Sequence, residues 1–285
     1  MNSFSIPLGA SVPFKSVALL DLRESVRARW FLVYLLIFGG AVVILISLGI
    51  TESQVMGFTG LTRMLITYFQ LCIAILPVFI LITTVRTVVG ERESNVLEYL
   101  LSMPIPLGAY YWGKISARFL VVFLPVFAAL AFSVAWGTLQ NLAVPWQAVS
   151  YYTLMLATLS WCFLGLGMLL STLVRKQEWA LGLAFLSWLL LLLFLDAILI
   201  GVMLQHKLQE EVIIFISLLN PLQVFRTGAM LLFDPELTIL GPASYVILDF
   251  FGKQGYLIFC IAYPMLLGWM FSLLGFRLFK KGDLV

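Results

Sequence analysis

Six apolar runs of more than twenty residues decide what this chain can become: 30–50, 64–89, 119–139, 149–174, 179–204 and 256–276. A helix needs about 20 such residues to cross the hydrocarbon core. In lipid, a helix satisfies all its backbone polar groups internally. The runs are too long for strands of a closed barrel, so the fold predicted is an all-α polytopic membrane protein with six transmembrane helices. Residues 1–285 then form one transmembrane domain, with little chain left for a soluble catalytic unit. Composition agrees: 62% of residues are hydrophobic and 11% charged, against roughly a quarter charged in soluble domains. The net charge of +3 is too small to suggest a nucleic-acid partner.

Lys and Arg set the orientation, because cytoplasmic flanks carry the excess. With both termini inside, thirteen of the 17 basic residues fall on the cytoplasmic side, leaving Arg63, Lys207, Arg226 and Lys253 outside. The first apolar run is long and follows charged residues, so it is expected to remain as a span rather than act as a cleaved leader. Cys72, Cys162 and Cys260 each sit in an apolar run without CxxC spacing, which argues against a disulfide framework or a metal site. Trp30, Trp146, Tyr151, Trp179 and Tyr256 lie at span ends, where aromatic side chains anchor at the interface.

Three segments outside the spans have patterns of their own. In 14–29, Leu19, Leu22, Val26 and Trp30 recur at helical steps among charged residues. That pattern fits an amphipathic helix lying along the inner interface, or a basic flank that only sets topology. Residues 205–255 are read as short amphipathic helices on the outer surface between spans five and six, with Leu222, Phe225 and Leu232 on one face. A seventh span there would send Arg277, Lys280 and Lys281 outside. The third segment is "GERESNVLEYLLSMPIP", 90–106. Gly90 is expected to end the second span, so that 91–103 forms a separate cytoplasmic helix closed by Pro104 and Pro106. Its acidic residues suit an anionic leaflet poorly. It reads either as a helix for the groove of a protein partner or as a solvated interfacial connector.

This stretch, with "GAYYWGKISARFL" after it, resembles the intracellular loop of ABC-2-type permeases, roughly E-R-E-x-G-T-L-E-x-L-L-x-x-P followed by G-K. The match is carried by Glu91, Arg92, Glu93, Leu97, Glu98, Leu100, Leu101, Pro104, Gly113 and Lys114. The chain departs at Asn95-Val96, where Gly-Thr is usual. The resemblance implies that 14–29 is an elbow helix and 91–103 a coupling helix docked on a separate ATPase, with Glu91 to Glu93, Leu97, Glu98, Leu100 and Leu101 as the coupling residues. Within the family, "FLDAIL" and "LLNPLQVFR" are similar to the permeases of nitrous-oxide-reductase maturation systems, the NosY-like group. There the permease works with its own ATPase and a periplasmic solenoid protein in the bacterial inner membrane.

The chain holds no G-x-x-x-x-G-K-[ST] loop, no H-E-x-x-H and no G-x-S-x-G. No catalytic residue and no cofactor is therefore expected in this chain, with ATP and magnesium bound by the ATPase. His206 is a lone surface histidine, the ten methionines are scattered packing material, and no metal site is expected. Asp196, about 12 Å from the outer end of the fifth span, is either a lining of the translocation path or conformational contact, or an acid bonded to a neighbouring helix. Asn220, Pro221 and Arg226 are candidates for contact with an outer partner. Arg226 could pair with Asp196 or bind lipid phosphate. The small residues of "GLGM" (165–168) permit close helix approach. Six spans are few for a full path, and no internal repeat is evident, so a homodimer with two ATPase copies is the economical assembly. Rival readings are a hydrophobic-cargo exporter, an ion-coupled secondary transporter, for which Asp196 is thin support, and an intramembrane enzyme.

Overall fold

A computed structural model describes residues 11–47, 60–102, 105–142, 144–194, 218–233 and 242–282. Among these every regular element is a helix. In chain order they are α1 (Ser11–Arg27), α2 (Arg29–Ser47), α3 (Gly60–Glu93), α4 (Val96–Ser102) and α5 (Leu107–Leu139). Then come α6 (Trp146–Leu173), α7 (Gln177–Leu189) with a π-helical turn at Leu190–Phe194, α8 (Pro221–Phe233) and α9 (Pro242–Gly282). Five helices are long and apolar enough to cross a membrane: α2, α3, α5, α6 and the second part of α9 from Asp249. The predicted fifth span is described only as far as Phe194, as a shorter apolar helix.

The bundle is built around α6. Of its apolar window 67% is buried, against 22% for α2, so α6 is the central post and α2 faces lipid. The small residues predicted to allow close approach do so. A methyl group on Gly165 would collide with the Gly268 carbonyl of α9, and one on Gly268 would collide with Trp161 of α6. Ser171 of α6 accepts hydrogen bonds from the backbone N–H groups of Val88 and Val89 at 3.0 and 3.1 Å, which locks α3 against the same post.

Three expectations need correction. Gly90 does not end the second span: α3 runs on for 34 residues to Glu93. The chain turns at Ser94 and Asn95, and the separate helix is only Val96–Ser102. The physical reason is local: Glu91, Arg92 and Glu93 each find partners on neighbouring helices, described below, whereas Asn95 takes a left-handed φ of 58°. That conformation suits Gly, and Asn tolerates it better than most residues, so Asn95 can make the turn into α4.

The second correction concerns α8, which is not a surface helix. Leu222, Val224, Phe225, Ala229 and Leu231 are all buried, and Phe225 stacks on Phe69 of α3 at 4.9 Å. The insertion follows its apolar face, while Gln223 and Arg226 on the other side stay half-buried. The third concerns the last span, predicted at 256–276: α9 is two helices that meet at a kink at Gly252 (φ 65°, ψ 166°), and the second runs on past 276 to Gly282.

Candidate functional site

Four charged side chains from three helices meet at one end of the bundle. Asp21 lies on α1, Glu91 in the last turn of α3, and Lys114 and Arg118 one turn apart near the start of α5. Lys114 bridges Glu91 directly and lies 3.6 Å from Asp21. Arg118 donates to Asp21 through Nε at 3.0 Å and Nη2 at 3.5 Å, and through Nη1 to the Thr83 carbonyl at 3.3 Å. The Tyr110 hydroxyl donates to Glu91, and its ring lies 5.0 Å from the Lys114 ammonium. The Asp21 and Lys114 side chains are 2% and 6% exposed. Two acids and two bases cancel, which is the condition under which charges survive burial.

Each element reaches this point for a reason. On α1, Leu19, Leu20 and Val26 are exposed, turned outward, while Asp21 and Ser25 are buried. Gly113 of α5 lets α1 approach closely, since a methyl group there would sit 3.2 Å from the Phe14 carbonyl. α5 begins twelve residues before its apolar window, so its first turns carry Tyr110, Lys114 and Arg118 beyond the greasy part of the span.

The neighbours of Glu91 extend the network. Arg92 donates to the Val174 carbonyl at 3.3 Å, and Glu93 accepts from the Gln177 backbone N–H at 3.1 Å, in the first turn of α7. On the far side of α5, Tyr110 stacks on Phe279 of α9 at 5.5 Å and Tyr111 donates to the Ser272 carbonyl at 3.0 Å. The ends of α1, α3, α5, α6, α7 and α9 are thus held together at the one pole.

α4 hangs from this pole between α3 and α5. Of the predicted coupling residues, Leu97 is buried at 2% exposure and Leu100 is half-buried. Glu91 and Arg92 are committed inward, Glu93 is exposed, and on α4 Glu98 stands on the exposed face together with Val96 and Tyr99. Leu101 belongs to the same helix. The predicted set therefore divides into an inward clasp, Glu91 and Arg92, an exposed Glu93 held to the start of α7, and a short outward face on α4. Asp21 and Arg118 were missed. The signal available was Asp21 opposite the apolar stripe of 14–29, and a Lys–Arg pair four residues apart ahead of the third span.

The other predicted residues fare differently. Asn220 is 1% exposed. Its Nδ2 donates to the Leu191 carbonyl in the π-helical turn at 2.7 Å, and its Oδ1 caps α8 by accepting from the Leu222 N–H at 3.0 Å. Pro221 is the first residue of α8 and is also buried. Neither is placed to meet an outer partner, because both are used in seating α8. Arg226 is half-buried on that helix. Asp196 and His206 lie outside the described residues.

The sequence model of the ABC-2 family transporter protein matches residues 15–284. A probable ABC transporter permease protein NosY from Stutzerimonas stutzeri is 28% identical over 218 residues, covering 74% of this chain and 79% of that protein. The corresponding protein from Pseudomonas aeruginosa is 25% identical over the same coverage. The match runs from the N-terminal amphipathic helix to the basic end of α9, and the chain is a multi-pass membrane protein that belongs to the ABC-2 family transporter proteins.

Proposed function

We propose that this chain is the permease subunit of an ATP-driven transporter, and that α4 is the contact through which a separate ATPase moves it. The observation that carries this is the division of α4: an outward face of Val96, Glu98 and Tyr99, on a helix whose Leu97 is buried and which packs against α3. A partner pressing on that face would push on the end of α3. In this reading the pole bearing α4 faces the cytoplasm of a bacterial inner membrane, both termini lie inside, and the fifth apolar run completes six spans. α1 is the elbow helix, its leucine stripe lying in the inner leaflet. Two permeases and two ATPases form the working unit, and ATP with its magnesium belongs to the ATPase.

The similarity to NosY proteins supports a finer proposal: service in maturation of the copper–sulfur site of nitrous oxide reductase, with a periplasmic solenoid protein as outer partner. Because Asn220 and Pro221 are buried, that partner would meet other parts of the outer surface.

The test is retention of partners by the full-length protein purified from its native membrane in mild detergent. Wild type should retain an ATPase, and a Glu98→Arg/Tyr99→Ala variant should lose it while melting at the same temperature. Failure of wild type to hold an ATPase even after crosslinking would sink the proposal. A periplasmic protein in the same sample would support the maturation role, and its absence would favour a plain exporter.

A further inference from the structure

We infer that a cleft beneath the α1–α2 corner binds the headgroup phosphate of an anionic phospholipid. The cavity, about 230 Å³, lies between the α1–α2 corner, α3 and α5. Its polar wall is Ser25, Thr83, Arg86 and Arg118, its rim Trp30 and Phe31, and no acidic side chain lines it.

Three observations on different residues point to an anion. Arg86 is exposed, and among the described residues no hydrogen bond or ion pair engages it, although Val85, Thr87 and Val88 on either side are buried. Arg118 is tied to Asp21 and to the Thr83 carbonyl, which occupies three of its five N–H donors and leaves two. The charge balance leaves a surplus here: Lys114 and Arg118 offset Glu91 and Asp21, and among the described residues no acid offsets Arg86. The third is Ser25, 8% exposed, whose hydroxyl has no partner among the described residues. Serines inside helices ordinarily bond back to a carbonyl one turn earlier, as Ser116, Ser133 and Ser160 do in this molecule. Ser25 is a spare donor in the wall of a cavity that already holds two guanidinium groups.

The lipid source follows from the rest of the cleft. Phe79, Ile82, Val121 and Val122 form the apolar part of its wall. Beyond Trp30, which is 55% exposed, the surface continues into the exposed face of α2 at Leu32, Val33 and Leu36. An occupant must therefore carry an anionic end for the arginines and a hydrocarbon end for the α2 face. The cavity is smaller than the roughly 300–1,000 Å³ that encloses a drug-sized molecule, so it admits a phosphate with its glycerol and leaves the chains in the bilayer. Arginine suits the task because its planar fork meets phosphate oxygens in pairs. A lipid seated there would contact α1, α2, α3 and α5 at once, next to the ion-pair network that joins three of them.

The experiment uses the full-length protein, stripped of lipid in detergent, and titrated separately with phosphatidylglycerol, phosphatidylcholine and inorganic phosphate. Bound lipid is read by native mass spectrometry and stability by thermal melting. Wild type should take up phosphatidylglycerol and melt higher with it, and respond little to the other two. Arg86→Ala should weaken that uptake about tenfold, the scale of one lost charge-assisted contact. Arg86→Lys, which keeps the charge and the fold, should fall between the two. Lys280→Ala removes an equally exposed charge at the same pole and should leave uptake unchanged. Equal losses in Arg86→Ala and Lys280→Ala would mean diffuse attraction to a basic surface and would overturn the site. Equal uptake of phosphatidylcholine, or an equal response to inorganic phosphate, would overturn its identity as an anionic-lipid site.

Discussion

Lys114 is the single side chain whose loss should be felt furthest. It reaches carboxylates on two different helices while itself almost wholly buried. Lys114→Met should destabilise the protein by about 3 kcal/mol, because a partly buried Glu91 is left with only Tyr110 to stabilise its charge. The double variant Lys114→Met/Glu91→Gln removes that stranded charge and should recover part of the loss, with a coupling of about 0.5–3 kcal/mol. Thermal melting of the wild type, both singles and the double closes the cycle; strictly additive losses would mean the pair contributes nothing of its own. The charges were each visible in the sequence, and Glu91 and Lys114 carried the family resemblance. Their grouping was not, because Asp21 and Arg118 are 97 positions apart and no period links residues on separate helices. Periodicity reports the face a helix turns to a bulk phase, and on α1 that face is the leucine stripe turned away from the bundle.

Among the elements, the apolar runs were legible because length and hydropathy are properties of one segment. Their ends were less so, and the reason is visible at α3 and α5. Both helices continue past their greasy cores into charged turns that are held by partners on other helices. α8 shows a second blind spot: an amphipathic pattern reads as a surface helix, whereas the burial of Leu222, Val224, Phe225, Ala229 and Leu231 places it among α3, α6 and α9. The contact between α6 and α9 gives a prediction of opposite signs. Gly268→Ala should cost about 1–3 kcal/mol, since the new methyl meets Trp161 with no room to yield. Gly182→Ala on α7 has open space around it and should be neutral or stabilising by up to about 1 kcal/mol through helix propensity alone. Melting temperatures in one detergent decide this, and a loss in both would implicate glycine flexibility rather than the close crossing.

For the molecule as a whole, one pole gathers the basic residues and the clasp while the other does not, and that asymmetry fixes a testable topology. Gln140 closes α5 at the far pole and is exposed, and Lys280 ends α9 at the basic pole and is exposed. Cys72, Cys162 and Cys260 are all buried, so a thiol reagent should find little background. A cysteine placed at Gln140 should then be labelled from outside intact cells, and one placed at Lys280 only after the membrane is opened. Labelling of both from the same side would require an even number of crossings between them and would break the six-span arrangement.

The unbroken passage of α3 from its span into the clasp bears on how work could cross this protein. A loop between span and clasp would act as slack, and the first ångströms of any push would be lost in straightening it. Here 34 residues of continuous helix, about 50 Å long at 1.5 Å per residue, leave only Ser94 and Asn95 between the rod and α4. Lost motion is small in such a linkage. What compliance remains is concentrated at Pro77, where the ring removes a backbone hydrogen bond midway along the rod. The lower arm, from Pro77 to Glu93, should therefore swing as one stiff piece, and the position of that proline sets how far along the helix a push at the clasp would be felt before it bends.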